Sequence, residues 1–155
     1  MNYISGILGS FGASLFFALL FHVPRRTLLS SSAIGAFSYL VYMLFFDFVG
    51  SAVGGAFVAS LFIAALSEFA ARMQHAPAII FTSVAVIPLV PGGALYETMF
   101  HIIQGDYTQA VNRGVDTILT AGCIALAIAL VTSFSRSIHP PKRHHKPRSS
   151  NPNPS

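Results

Sequence analysis

Val86-Ile87-Pro88-Leu89-Val90-Pro91-Gly92-Gly93 lies inside an apolar stretch of the chain that is long enough to cross a membrane. Because neither proline has an N–H group, the carbonyls of Val84 and Ile87, four residues earlier, lose their α-helical partners. The residue before each proline is also pushed away from α geometry, and the two glycines loosen the backbone further. In lipid each unpaired backbone group costs several kcal/mol, so such an interruption persists only where protein or a polar cavity covers it. The stretch therefore predicts a broken transmembrane helix that forms part of a solute site.

The composition around this stretch is that of an integral membrane protein. Of the 155 residues, 54% are hydrophobic and 9% are charged, whereas an ordinary soluble domain has about 25% charged residues. At about 20 residues per span, the length accommodates about five helices and leaves no room for a soluble catalytic domain. The sequence thus predicts an all-α integral membrane protein with about five transmembrane helices, the fourth of which is broken by the Pro-Gly motif. The predicted spans cover residues 3–21, 28–46, 49–69, 78–101 and 114–134.

Positively charged residues indicate how these helices are oriented. With the N-terminus outside and five crossings, all nine Lys and Arg residues except Arg113 fall on the cytoplasmic side. This asymmetry predicts an N-out, C-in topology, with residues 1–136 as the transmembrane domain and 137–155 as a disordered basic cytoplasmic tail. The tail is expected to contact anionic membrane lipids. A re-entrant fourth segment is the less favoured alternative, because it would place the tail opposite Arg25 and Arg26.

The connections between spans are predicted from polar and helix-breaking residues. Residues 22–27 form a tight connection whose proline ends the first helix. Asp47 lies in a predicted outer turn, and a polar loop that contains Asp106 is expected to run from Gln104 to Arg113. Both aspartates are expected to be solvated.

The residue patterns that enzyme chemistry requires are missing. The sequence contains no nucleophile–base arrangement, no His-x-x-x-His or Glu-x-x-His metal spacing and no phosphate-binding loop. Cys123 is the single cysteine, and His139, His144 and His145 belong to the predicted solvated tail, so no enzyme activity, cofactor or metal is expected. The basic residues act as topology signals, and we expect no binding to nucleic acid.

The interrupted helix supplies the predicted binding site. A half-helix that starts near Gly93 would direct its N-terminal amides and the positive end of its dipole toward the membrane interior, where transporters often bind a carboxylate. The freed carbonyls of Val84 and Ile87 would hold an ammonium group or a cation. This combination favours a small zwitterion or a carboxylate. The predicted substrate-binding residues are Pro88, Pro91, Gly92, Gly93 and Tyr96.

Charged residues near the helix ends have functional and structural interpretations. Glu97 is either a proton-coupling carboxylate, since it lies at membrane depth, or a carboxylate near the outer interface that complements the helix dipole. Glu68 and Arg72 are four residues apart, and this spacing predicts a structural ion pair. Asp116 is expected to pair with Arg113.

Small residues recur every four positions in two of the predicted spans. They are Ala52, Ala56, Ser60 and Ala64 in the third span, and Ala121, Ala125, Ala129 and Ser133 in the fifth. Such stripes allow helix backbones to approach closely. Two interpretations stay open, namely packing within this chain and contact with another subunit, which includes homo-oligomerisation.

Two stretches resemble the signature of the threonine/serine exporter family, specifically its smaller C-terminal membrane module. They are Phe21-His22-Val23-Pro24-Arg25-Arg26-Thr27-Leu28 and Ile87-Pro88-Leu89-Val90-Pro91-Gly92-Gly93, and the similarity covers nearly all of the chain up to Phe134. His22 stands where relatives often have Asn, and Glu97 stands where many have an uncharged residue.

This resemblance implies a bacterial plasma-membrane protein that works with a larger partner subunit carrying the other half of the transporter. Members of the family are associated with export of threonine and serine, and a similar split pair with export of a dicarboxylate. The leading prediction is a subunit of a two-component, proton-coupled secondary exporter of small amino or carboxylic acids. The alternative is a structural or assembly subunit that stabilises the partner without lining the transport path.

Overall fold

The computed structural model describes residues 3–138 apart from the side chain of Arg136, and every regular element within them is helical. The helices are α1 (Tyr3–Leu20), α2 (Arg25–Val49), α3 (Ala52–Gln74), α4 (Ala78–Ala85), α5 (Gly92–Ile103) and α6 (Tyr107–Ile138), with a 3₁₀ turn at Ile87–Leu89 between α4 and α5. The predicted all-α fold is confirmed. From residue 139 onward the predicted tail, with His139, His144 and His145, lies outside the described residues.

Within the described residues, four helices are long and apolar enough to cross a membrane by themselves. They are α1, α2, α3 and the part of α6 from Tyr107 to Ser135. The segment Ala78–Leu89 and helix α5 reach that length only when they are taken together, and they are bent by 47° relative to each other. The described chain therefore contains four to five candidate membrane spans, in agreement with the predicted number.

The predicted turn at Asp47 is wrong, because α2 continues through this residue to Val49. The chain reverses at Gly50, whose φ of 71° is a left-handed conformation that glycine adopts without steric cost. Asp47 is not merely solvated either, since its carboxylate accepts a hydrogen bond from the hydroxyl of Tyr3. This contact connects the start of α1 to the end of α2.

The predicted polar loop from Gln104 to Arg113 is wrong beyond its first three residues, because α6 begins at Tyr107. Asp106 caps the new helix by accepting the backbone N–H of Gln109 at 3.1 Å. Gly105, with a φ of 78°, makes the tight turn that precedes it. Polar side chains do not oppose a helix once its first amides are capped, so α6 starts well before the apolar run begins.

Small side chains let α1, α2 and α4 approach one another closely. A Cβ atom on Gly35 of α2 would lie 2.4 Å from Ser14 Oγ and 3.4 Å from Ala85 Cα, so no larger residue fits without a shift. Ser14 and Ala85 are completely buried, and Phe81 is buried beside them in the hydrophobic core. This packing holds the end of α4 in the interior and positions the interruption that follows it.

The two predicted stripes of small residues differ in their surroundings. On α3, the residues Ala56, Ser60 and Ala64 are buried, which confirms packing within the chain for these three, whereas Ala52 at the start of the helix is exposed. On α6, Ala121, Ala125, Ala129 and Ser133 are exposed. Contact with another subunit thus stays a prediction for α6 alone.

Candidate solute-binding site

The backbone between α4 and α5 is interrupted, but part of it regains hydrogen bonds. The Val86 N–H closes the last turn of α4 by donating to the carbonyl of Thr82 at 3.0 Å. The Val90 N–H then donates to the carbonyl of Ile87 at 3.2 Å. The prediction of a free carbonyl at Ile87 is therefore wrong, because the shorter hydrogen-bond pattern of the 3₁₀ turn supplies the partner that Pro91 cannot.

The first turn of α5 carries the unpaired donors of this interruption. Pro91, at the N-cap position, makes no side-chain hydrogen bond to the helix. The Gly92 N–H bonds back into the preceding turn and the Leu95 N–H bonds to the carbonyl of Pro91, whereas the amides of Gly93 and Ala94 have no acceptor among the described residues. Free N–H groups and the positive end of the helix dipole therefore coincide at the start of α5.

A cavity of about 690 Å³ opens beside the interruption. Its wall is formed by α2, the start of α3, the 3₁₀ turn, the start of α5 and α6. Its polar and charged lining residues are Tyr39, Tyr42, Ser51, Arg113, Asp116 and Thr120. Small-molecule sites have volumes of about 300–1,000 Å³. The cavity is thus large enough for a solute of amino-acid size.

Part of the predicted substrate-binding set surrounds this cavity. Pro88, Pro91 and Gly93 line it, whereas Gly92 and Tyr96 are not among its lining residues. The ring of Tyr96 is exposed and stacks on Phe100, with 6.2 Å between the ring centroids. Because residues four apart share a helix face, Tyr96 belongs to the exposed surface that carries Phe100.

The aromatic residues of α2 were missed by sequence reasoning. Tyr39 and Tyr42 stack with their ring centroids 5.9 Å apart, and Phe46 continues the stack at 6.3 Å from Tyr42. All three line the cavity. Their spacing of three and four residues places them on one face of α2, and this spacing is the sequence signal that could have revealed them.

Thr120 of α6 was missed as well. It lies one turn beyond Asp116, so both side chains face the cavity from the same side of the helix. Its hydroxyl donates to the backbone carbonyl of Asp116 at 2.7 Å, and the residue is buried. A polar residue four positions from a carboxylate on an apolar helix was the available signal.

Arg113 pairs with Glu97 instead of the predicted Asp116. Arg113 Nε lies 3.1 Å from Glu97 Oε2, and each side chain is about half exposed. The short turn between α5 and α6 lays the two helices side by side, which brings Glu97 to the guanidinium group. The carboxylate of Asp116 has neither a hydrogen bond nor an ion pair with any group that the structure describes. Among the described residues, no group of three or more His, Cys, Asp or Glu side chains is placed to hold a metal ion.

Glu68 and Arg72, near the opposite end of α3, are joined through a third residue. Arg72 Nη2 donates to Ser135 Oγ at 3.0 Å, and the Ser135 hydroxyl donates to Glu68 Oε2 at 2.7 Å. This bridge replaces the predicted direct ion pair, because α6 packs against α3 and inserts its hydroxyl between the two charges. Glu68 also borders a second cavity of about 330 Å³, together with Thr82 and Thr132.

Comparison with known proteins gives a family match over most of the chain. The family model described as threonine/serine exporter, ThrE, matches residues 6–134. No solved structure matches the chain. The match includes the interruption, the cavity and nearly the whole of every helix from α1 to α6. With its apolar helices, this chain is a membrane transport protein of the amino-acid export type, and it belongs to the threonine/serine exporter family.

Proposed function

We propose that this chain is the small subunit of a two-component secondary exporter of small amino acids such as threonine and serine, or of related carboxylates. The cavity beside the interruption carries this proposal, because it combines unpaired backbone donors and polar side chains within an apolar helical protein. In this proposal α4 and α5 form the fourth membrane span, broken at residues 88–93. The topology is N-out, C-in, in the bacterial plasma membrane.

The start of α5 is suited to the carboxylate group that threonine, serine and dicarboxylates share. The unpaired amides of Gly93 and Ala94 and the positive end of the helix dipole stabilise negative charge at this point. Pro91 contributes by making no side-chain cap, which leaves those amides available to a ligand. Pro88 contributes because it lacks an N–H group to continue α4, which ends at Ala85 and is followed by the 3₁₀ turn.

The exposure of α5 supports the existence of a larger partner. None of its residues is buried, and Leu95, Tyr96 and Met99 expose 56%, 69% and 56% of their surface. If only lipid covered this helix, the polar cavity beside it would border hydrocarbon, where polar groups without partners are costly. A partner subunit that packs on α5 would complete the wall of the site.

Glu97 is the proposed proton-coupling residue. Its carboxylate holds the guanidinium of Arg113, and that guanidinium lines the cavity. Protonation of Glu97 would remove the ionic partner of Arg113 and change the charge that the solute meets. Proton binding and solute binding would thereby be coupled through one side-chain contact.

A second candidate function is that of a structural or assembly subunit. The exposed small residues of α6, Ala121, Ala125, Ala129 and Ser133, favour it, since such a stripe allows another helix to approach closely. In this case the transport path lies wholly in the partner. The partner alone, reconstituted in liposomes, would then export the solute.

Export from cells that express the chain with its larger partner tests the proposal. The triple variant Pro91→Ala, Gly92→Ala, Gly93→Ala restores the backbone N–H that Pro91 lacks. A Cβ at either glycine meets no atom within 4 Å, so the new side chains cause no clash. Threonine and serine efflux is expected to fall at least about tenfold at normal protein abundance, which corresponds to the loss of one charge-assisted hydrogen bond. Gly122→Ala on α6 is the matched control, because its Cβ also meets no atom within 4 Å.

Wild-type efflux from the triple variant would overturn the proposed role of the interruption. Efflux by the partner alone at the rate of the pair would favour the assembly role instead.

A further inference from the structure

We propose that Asp116 binds the ammonium group of the solute and thereby makes the cavity select α-amino acids over hydroxy acids and dicarboxylates. This inference rests on the proposed function, since it names the recognition element of the same site. The proposed function includes both amino acids and carboxylates that lack an amino group, whereas binding of the ammonium group by Asp116 would favour the amino acids.

The charges around the cavity do not balance. Arg113 and Asp116 are the charged residues that line it. The positive charge of Arg113 is already paired with Glu97 at 3.1 Å. The carboxylate of Asp116 has no partner among the described side chains, so Glu97, Arg113 and Asp116 together leave one net negative charge at the site. An unpaired carboxylate attracts an ammonium group and repels a second carboxylate.

The surroundings of Asp116 also suit an ammonium group. The stacked rings of Tyr39 and Tyr42 belong to the same cavity wall, and aromatic faces attract cations. Thr120, one turn along α6, lines the cavity as well. The elements around the cavity therefore offer an ammonium group a carboxylate and two aromatic rings.

The carboxylate of the same solute has a different place to bind. The unpaired amides of Gly93 and Ala94 lie on α5, whereas Asp116 lies on α6, and residues of both helices line one cavity. A zwitterion can place its carboxylate at the α5 amides and its ammonium group at Asp116. A dicarboxylate satisfies the α5 amides with one group but brings its second negative charge into the field of Asp116. The guanidinium that the described residues contribute to the lining, that of Arg113, is held by Glu97.

Competition binding to the purified complex of this chain with its partner tests the inference, with radiolabelled L-serine as the probe. Three unlabelled competitors differ from serine in their charged groups. Ethanolamine lacks the carboxylate, glycerate has a hydroxyl in place of the ammonium group, and succinate carries two carboxylates. On the wild-type complex, ethanolamine is expected to compete at least about tenfold better than glycerate or succinate.

Two variants assign the selectivity to Asp116. Asp116→Asn is expected to weaken serine and ethanolamine binding at least about tenfold while glycerate binding stays equal or improves. Glu97→Gln, which releases Arg113, is expected to improve glycerate and succinate binding several-fold. Asp47→Asn is the control, because Asp47 is bonded to Tyr3 and does not line the cavity, and it should bind all four compounds as the wild type does.

The possible failures are distinguishable. If the wild-type complex binds no serine, the proposed function itself fails, and this inference fails with it. If the wild type binds serine and Asp116→Asn does so equally well, or loses serine and glycerate in the same proportion, the inference is overturned while the proposed function stands. The elution volume in gel filtration checks that each variant complex is assembled.

Discussion

Arg113 Nε lies 3.1 Å from Glu97 Oε2, and this contact joins α6 to α5. Since Arg113 also lines the cavity, the pair lies at its border. The contact gives Glu97 a structural partner and leaves the Asp116 carboxylate as the charged group of the cavity lining without a partner among the described residues. The strength of the Arg113–Glu97 contact therefore decides how readily Arg113 can turn from Glu97 to a solute.

The Arg113–Glu97 pair is expected to contribute little to stability. Because both side chains are about half exposed, solvent screens their attraction. A double-mutant cycle with Glu97→Gln and Arg113→Gln should give a coupling free energy of at most about 1 kcal/mol, measured by denaturant unfolding in detergent micelles. A coupling above about 2 kcal/mol would show that the pair is effectively buried in the assembled protein and is not free to exchange partners.

Gly35→Ala is expected to destabilise the protein by about 1–3 kcal/mol, since overpacking at a close helix contact forces backbone or side-chain shifts. The new Cβ would lie 2.4 Å from Ser14 Oγ. Adding Ser14→Ala removes this oxygen and should restore part of the loss. Gly12→Ala is the control, because a Cβ there meets no atom within 4 Å. If Gly35→Ala unfolds at the same denaturant concentration as the wild type, α1 and α2 do not approach as closely as described.

Thiol labelling of whole cells tests the proposed fourth span. In a Cys123→Ser background, Met73→Cys and Thr108→Cys place single thiols at exposed positions before α4 and after the start of α6. If α4 and α5 form one span in the N-out topology, a membrane-impermeant reagent should label Thr108→Cys and not Met73→Cys. Permeabilised cells, in which both should react, provide the control. Failure to label either thiol in intact cells would point to a re-entrant segment.

Much of the fold was predictable because its causes are local. Long apolar runs require helices in lipid, and the number and approximate position of the spans follow from them. The predicted helix ends were less accurate, as Asp47 and the loop from Gln104 to Arg113 show. Both were assigned from polarity, whereas the ends depend on where the chain can turn: Gly50 and Gly105 have positive φ, and Asp106 caps α6.

The candidate site was predictable only in part. Pro88, Pro91 and Gly93 are predicted because proline and glycine alter the backbone wherever they occur; they line the cavity, and substrate binding by them stays a prediction. The remaining wall, with Tyr39, Tyr42 and Thr120, comes from α2 and α6, and no local signal connects these residues to the interruption.

The sequence by itself determined that the chain is helical and apolar enough for a membrane, since composition acts within each segment. Only the tertiary structure decided which polar groups meet. The pairing of Arg113 with Glu97 and the bridge of Ser135 between Glu68 and Arg72 both cross from one helix to another. Such contacts depend on the distance and register between packed helices. Small interior residues such as Gly35 set that distance, and no single segment of the sequence encodes it.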